Sequence, residues 1–177
     1  MNYTPEQIAE IVLKVLKEVN EPDVLSLSYD EKRELAQNPN TSPEILKVLA
    51  TDENYHVRSC VARNPNTPVE LLKVLATDEN YHVRSCVAQN PNTPVETLKV
   101  FATDEDCQVR SAVALNPNTP LETLKVLATD EDYSVRYCVA RNPNYKTQTL
   151  GLTQVQYDAL KVLLKSSQDE SLKTLTL

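Results

Sequence analysis

One tripeptide, Asn-Pro-Asn, recurs along this chain at a fixed interval of 26 residues. Its copies begin at Asn38, Asn64, Asn90, Asn116 and Asn142, and the residues between successive copies are closely similar. A fixed period of roughly 20–50 residues is typical of solenoids, in which each unit covers the apolar face of the next. The sequence therefore predicts one solenoid domain over residues 1–177. Its expected parts are an N-terminal cap with a degenerate repeat (1–37), full repeats at 38–63, 64–89, 90–115 and 116–141, and a C-terminal cap (142–177).

The charge of the chain restricts the classes of partner. A net charge of −7 opposes general contact with nucleic acid or an anionic membrane, because both require a basic surface. The sequence has no apolar run of about 18 residues that could span a bilayer. Its N-terminal segment lacks the basic start and small-residue cleavage site of a signal peptide, so we expect a cytoplasmic protein.

Each repeat contains two short amphipathic segments. The first begins with Thr-Pro-Val-Glu at 67–70, which predicts a capping box with threonine as the N-cap and proline at the first helical position. Its Leu72, Leu75 and Ala76 form an i, i+3, i+4 stripe that we expect to be buried, with Val74 packed on the flank.

The second segment is predicted to open near Asp78, a good N-cap residue, and to end before the next Asn-Pro. Val83, Cys86 and Val87 form its apolar stripe. Asn-Pro-Asn-Thr-Pro is then interpreted as a turn followed by a helix start. Both segments are too short to be stable alone, so packing between repeats must hold them.

The two ends depart from the pattern, as the caps of a solenoid do. We expect an N-terminal amphipathic helix over 4–19 and a second helix from about Ser28 to Gln37, in which Glu31 and Glu34 replace apolar residues and indicate a solvated end face. A last helix is predicted over about 154–165, followed by a frayed or docking tail.

The four cysteines do not read as a disulfide framework. Cys60, Cys86 and Cys138 occupy one repeat position, and equivalent helices lie roughly 8–10 Å apart, whereas a disulfide tolerates a Cα separation of about 7 Å. We expect these three to be small buried hydrophobic residues. Cys107 occupies the position of Tyr55 and is expected to be more exposed.

Two charged residues recur once in each repeat. They form an aspartate row (Asp52, Asp78, Asp104 and Asp130) and an arginine row (Arg58, Arg84, Arg110 and Arg136). One interpretation is a row that binds a charged ligand. The interpretation that we favour is structural: each guanidinium donates to loop carbonyls or to the aspartate of its own or a neighbouring repeat.

The polar face of the second segment carries residue types that core packing does not require. The candidate partner-binding residues are Tyr55, His56, Arg63, Tyr81, His82, Gln89, Tyr133, Tyr137 and Arg141. Tyrosine, histidine and arginine suit protein interfaces. A solvated face of recently duplicated repeats is an alternative of equal weight.

No catalytic or metal site is indicated. His56 and His82 lie one repeat apart, and side chains on helices about 10 Å apart rarely converge on one ion. The sequence has no nucleophile and base arrangement with a supporting motif, and its single glycine leaves no phosphate-binding loop. We therefore expect no cofactor.

Taken together, the residues D-x4-V-R-x2-V-A-x-N-P-N-T-P-x-E-x-L-K-x-L-A resemble the leucine-rich repeat variant family, bacterial relatives of HEAT-type repeats, over roughly 38–144. The resemblance implies an all-α, right-handed superhelix of HEAT or armadillo type, with one helix of each unit short or of 3₁₀ type. An iron–sulfur member of the family carries a separate N-terminal cysteine cluster. Since no cysteine precedes Cys60 here, that cofactor is not carried over.

These observations predict a non-enzymatic scaffold that binds a protein or peptide along its second-helix surface. The alternatives are nucleic-acid binding through a local arginine stripe, which the net charge disfavours, and self-assembly through an end face. The oligomeric state stays open.

Overall fold

The structure, a computed structural model, describes residues 24–149 together with residues 151, 153, 155, 156, 158, 159 and 162. Every regular element within this part is helical. A 3₁₀ turn at Val24–Ser26 precedes the α-helices α1 (Tyr29–Gln37), α2 (Pro43–Leu49), α3 (Tyr55–Arg63), α4 (Val69–Leu75), α5 (Tyr81–Gln89), α6 (Val95–Phe101), α7 (Cys107–Leu115), α8 (Leu121–Leu127), α9 (Tyr133–Arg141) and α10 (Pro143–Thr149). The predicted fold class, an all-α solenoid of two-helix repeats, is confirmed. The short helix of each repeat has seven residues and is α-helical.

Some predicted segments lie outside the described residues. The helix over 4–19 and the tail at 166–177 fall there entirely, and the last helix, over about 154–165, does so in large part. The second helix of the N-terminal region is confirmed as α1, with Ser28 as its N-cap and a complete capping box. Glu31 and Glu34 on this helix are exposed, as expected of an end face.

The second helices form the central row of the fold. Helices α1, α3, α5, α7 and α9 pack on one another in succession, whereas α4 and α6 chiefly contact the second helices beside them, and α8 contacts α10 as well. The second helices therefore lie closer together than the first helices do. None of the helices within the described ranges has the length and apolar content that crossing a bilayer requires.

The apolar stripes form the core between these rows. The side chains of Leu72, Val83 and Val87 are fully buried, and Leu75 and Cys86 are nearly so. The i, i+3, i+4 spacing therefore identified these core residues correctly, whereas Ala76, the third residue of the first-helix stripe, is half-buried and packs against the core. One flanking position was wrong: Val74 is 62% exposed, and its equivalents Val100 and Val126 are similarly open. Helices α2, α4, α6 and α8 make few contacts with one another, so among the described residues these valines stay open.

The predicted threonine caps are also wrong. Pro68 is the N-cap of α4 and makes no side-chain cap hydrogen bond. The Thr67 hydroxyl instead donates to the carbonyl of Val61 at 2.6 Å, which satisfies the C-terminal end of the preceding helix. In the first copy, where the proline is displaced by one residue, Ser42 is the N-cap and accepts from the Ile45 N–H.

Asp78 was predicted as the N-cap of the second helix, and that residue is Asn80. Its Oδ1 accepts from the His82 N–H at 2.9 Å. Asp78 lies two residues earlier and accepts from the Asn80 N–H, while its carboxylate binds Arg58 of the preceding repeat. The Asp78 carboxylate, which the sequence suggested as the helix cap, is therefore used in an ion pair between repeats.

The first asparagine of the triplets at 64, 90, 116 and 142 joins repeats. Asn90 is 2% exposed, and its Nδ2 donates to the carbonyls of Ala62 at 2.7 Å and Asn64 at 3.1 Å, which lie on either side of the junction between the two preceding repeats. Its Oδ1 accepts from the Asn92 N–H at 2.8 Å, which closes the turn. The triplet is therefore a turn, as interpreted, and in addition an inter-repeat hydrogen-bond anchor that the sequence did not reveal.

The burial of the cysteines matches the prediction in part. All four are free thiols, but only Cys86 is buried. Cys60 and Cys138 are half-buried, because they border the polar face of their helices, and so is Cys107, which packs against the core rather than projecting from the surface.

Candidate partner-binding site

The candidate residues lie along the second-helix face. His56, Arg63, His82, Gln89, Tyr133, Tyr137 and Arg141 are exposed, whereas Tyr55 and Tyr81 are half-buried. The structure gathers most of them into two clusters, one at each end of the face. Gln89 belongs to neither cluster.

The first cluster is organised by a pair of rings from neighbouring repeats. The Tyr55 and His82 rings stack with centroids 5.6 Å apart and an interplanar angle of 14°. Each tyrosine also contacts the histidine that follows it: the centroids are 4.1 Å apart for Tyr55 and His56, and 4.0 Å apart for Tyr81 and His82. Four predicted residues thus form one continuous aromatic surface across two repeats.

A cavity of about 310 Å³ lies beside this surface, between α1, α3 and α5. Tyr55, His82 and Arg63 line it together with two residues of α1, Tyr29 and Arg33. The guanidinium of Arg33 lies 5.7 Å from the centroid of the Tyr29 ring, within the range of a cation–π contact. The wall of the cavity therefore combines aromatic rings with two cationic groups.

The floor of the cavity is polar and partly unsatisfied. Ser59 is 8% exposed, and its Oγ is a buried side-chain oxygen that lacks a hydrogen-bond partner among the described residues. The nearby thiol of Cys86 is at best a weak partner. Burial raises the pKa of this thiol, although the neighbouring Arg63 and Ser59 side chains oppose the rise. The Cys60 Sγ accepts from Gln37 Nε2 at 3.4 Å.

The second cluster lies on α9. The Tyr133 and Tyr137 rings stack with centroids 6.2 Å apart. The Arg141 Nη1 donates to the Tyr137 hydroxyl at 3.1 Å, and its guanidinium lies 5.6 Å from that ring. Arg136 lies 5.9 Å from the Tyr133 ring. This end of the face has the same chemistry as the first cluster, on one helix rather than three.

Sequence reasoning missed the contribution of α1. Tyr29, Arg33 and Gln37 all line the cavity. The signal was present, because they lie 26 residues before Tyr55, Ser59 and Arg63, which places them in the same register one repeat earlier. The degenerate sequence around them hid that register.

The charged rows lie at the edge of this face and bind each other. Arg84 donates from Nε and Nη2 to the Asp104 carboxylate at 2.8 and 3.0 Å, and from Nη1 to the carbonyls of Asp78 and Glu79, each at 3.0 Å. The same contacts join Arg58 to Asp78 and Arg110 to Asp130.

The rows end differently at the two sides. Lys32 takes the place of the arginine in the first ion pair of the rows, and its Nζ lies 2.9 Å from the Asp52 carboxylate. Arg136, the last arginine of the row, is exposed. It donates to two loop carbonyls, but among the described residues it has no carboxylate partner. The position 20 residues further on is Gln156.

The described ranges contain no group of three or more histidine, cysteine, aspartate or glutamate residues that could hold a metal ion. His56 and His82 do lie in one cluster, but they contact tyrosine rings.

Comparison with known proteins adds one finding. A model described as the Leucine Rich Repeat Variant domain matches residues 30–86, and a second, described as the leucine rich repeat variant, matches residues 81–106 and 108–132. Neither a curated protein nor a solved structure matches the chain.

Proposed function

The chain belongs to the leucine-rich repeat variant family, and we propose that it is a non-enzymatic scaffold that binds a protein or peptide along its second-helix face. A solenoid of helical repeats offers an extended surface on which a partner can contact several repeats at once. The partner-binding residues are those of the two clusters, with Tyr29 and Arg33 added to the first.

The observation that carries the proposal is the Tyr55–His82 stack beside the cavity. Neither residue forms the buried stripe of its helix, since the valines at 57, 61, 83 and 87 do so. Large rings held in place by a neighbouring repeat bind a partner with little loss of side-chain freedom, and tyrosine and arginine dominate the energetics of protein interfaces.

The distribution of charge favours a protein over a nucleic acid. The loops before the second helices carry the exposed carboxylates of Glu53, Glu79, Glu105 and Glu131 along the edge of the face. A polyphosphate lying along the row would meet this acidic edge, and the net charge of −7 would weaken its approach further.

The proposal is tested by affinity purification from the native lysate with the wild-type chain and with a Tyr55→Ala, His82→Ala, Tyr137→Ala variant. We expect specific partners of the wild type to be lost by the variant. The matched control carries Lys73→Ala and Lys99→Ala on the first helices, where both side chains are exposed, and should retain them. Partners that the triple variant retains, at an unchanged melting temperature, would refute this placement of the site.

A further inference from the structure

The cavity between α1, α3 and α5 has the charge and the polar groups of a site for a carboxylate. Resting on the proposed function, we infer that it receives an aspartate or glutamate side chain of an extended peptide segment, with the neighbouring peptide residue packed on the Tyr55–His82 stack. The ligand class is therefore an acidic peptide.

The first argument is charge complementarity. Among the described residues the cavity is lined by two arginines, Arg33 and Arg63, and by no carboxylate, in a chain whose net charge is −7. Within the described part of the chain Arg63 has no ion pair, and Arg33 reaches only Asp30, at 3.8 Å, whose side chain is 84% exposed. Both guanidinium groups therefore have N–H donors available for a ligand, and a guanidinium binds a carboxylate in bidentate geometry.

The second argument is the floor of the cavity. The Ser59 hydroxyl is buried, lines the cavity and is unsatisfied among the described residues. Buried polar groups in native structures are nearly always hydrogen-bonded, so an exception requires an explanation. A carboxylate oxygen entering between the arginines would accept from this hydroxyl. Binding would then supply the missing partner.

The third argument is size. A volume of about 310 Å³ lies at the lower limit of pockets that enclose a whole small ligand. The cavity is therefore suited to one side chain with its flanking backbone, and the rest of an extended segment would continue along the second-helix face. That path leads over α5 and α7 towards the aromatic cluster of α9.

The experiment is a selection of random 12-residue peptides displayed on phage against the full chain. We expect the selected pool to be enriched in aspartate and glutamate relative to the starting library. Replacing the enriched acid by its amide, Asp→Asn or Glu→Gln, in a synthetic peptide should weaken binding about tenfold or more, as expected for the loss of a charge-assisted hydrogen bond.

The variants separate this site from the rest of the face. Arg33→Ala and Arg63→Ala should each weaken the acidic peptide, and Arg63→Lys should do so as well, because lysine keeps the charge but cannot bind in bidentate geometry. Lys73→Ala, on the first helix α4 and away from the second-helix face, should leave the preference for acid over amide unchanged. Melting curves check that each variant is folded.

The outcomes are distinct. Peptides selected without acidic bias, or acidic peptides whose affinity is unchanged by Arg63→Ala, would overturn the inference and leave the proposed function standing. If the selection recovers no more binding peptides than a selection against an unrelated protein, both the inference and the proposed function would be overturned. Displacement of the peptides by a single-stranded oligonucleotide at about 50 mM salt would assign the arginines to phosphate instead.

Discussion

Arg58 and Asp78, in neighbouring repeats, form a bidentate ion pair in which Nε lies 2.7 Å from Oδ2 and Nη2 lies 2.9 Å from Oδ1. The remaining nitrogen, Nη1, donates to the carbonyls of Asp52 and Glu53 in the loop of its own repeat. One guanidinium therefore joins the loop of each repeat to the loop of the next. The pair is mostly shielded from solvent, with side-chain exposures of 12% and 8%.

Replacing Arg84 by methionine should lower the free energy of unfolding by about 3 kcal/mol, because the Asp104 carboxylate and two loop carbonyls lose their donor. Urea unfolding followed by circular dichroism measures the change. The matched control is Arg136→Met, at the exposed last arginine of the row, where we expect a loss of about 1 kcal/mol or less. Equal losses in the two variants would show that the ion pair between repeats contributes nothing.

The acid sensitivity of the protein should depend on the same contacts. Hydrogen bonds from Arg110 hold the pKa of Asp130 below its ordinary value, with burial opposing them. A group whose pKa is lowered by folding stabilises the protein above its unfolded pKa of about 3.9, and that stabilisation is lost as the pH falls through the folded pKa.

We therefore expect Asp130→Asn to cost a constant amount of stability above about pH 5 and progressively less below about pH 4. Urea titrations at a series of pH values measure the difference from the wild type. Glu131→Gln is the control, because this 93% exposed carboxylate reaches Arg110 only at 3.9 Å. A cost for Asp130→Asn that is as large at acid pH as at neutral pH would contradict the assignment.

Asn90→Ala should destabilise the chain by about 2 kcal/mol, because two buried carbonyls and one turn N–H lose their partners. Asn92→Ala is the matched control from the same triplet. Its side chain is exposed and donates once, to the Pro65 carbonyl at 2.8 Å, so its loss should be less than about 1 kcal/mol. The reverse order of the two losses would refute the anchoring role of the buried asparagine.

The sequence was sufficient for features that depend on local spacing. The burial of Leu72, Val83 and Val87 follows from a 3.6-residue period, which any two-helix repeat must satisfy. The N-cap of the second helix could not be predicted from the sequence. Asp78 and Asn80 are both good capping residues, and the choice between them depends on Arg58 of the preceding repeat, which takes the Asp78 carboxylate. Predicting which residue caps the helix therefore requires knowing how one repeat is placed relative to the next.

The candidate site was likewise predicted from the sequence only in part. Comparing the copies identified the open face, because residues that vary between repeats are not those that pack the core. It did not identify which rings meet. Tyr55 stacks on His82 rather than on its own equivalent, Tyr81. The cavity is formed by side chains of three helices, so it depends on how neighbouring repeats pack.

The nearest-neighbour character of these contacts leads to a last prediction. Each arginine binds an aspartate 20 residues ahead, and each buried asparagine binds carbonyls 26 and 28 residues behind. Deleting residues 90–115 therefore places Asp130 opposite Arg84 and Asn116 opposite Ala62, which restores both contacts. The shortened chain should fold and unfold cooperatively at a lower urea midpoint, because stability in repeat proteins accumulates from units and interfaces. Deleting residues 90–102 removes half a unit and should abolish cooperative unfolding. A chain that is unfolded after the in-register deletion would show that contacts beyond neighbouring repeats hold the fold.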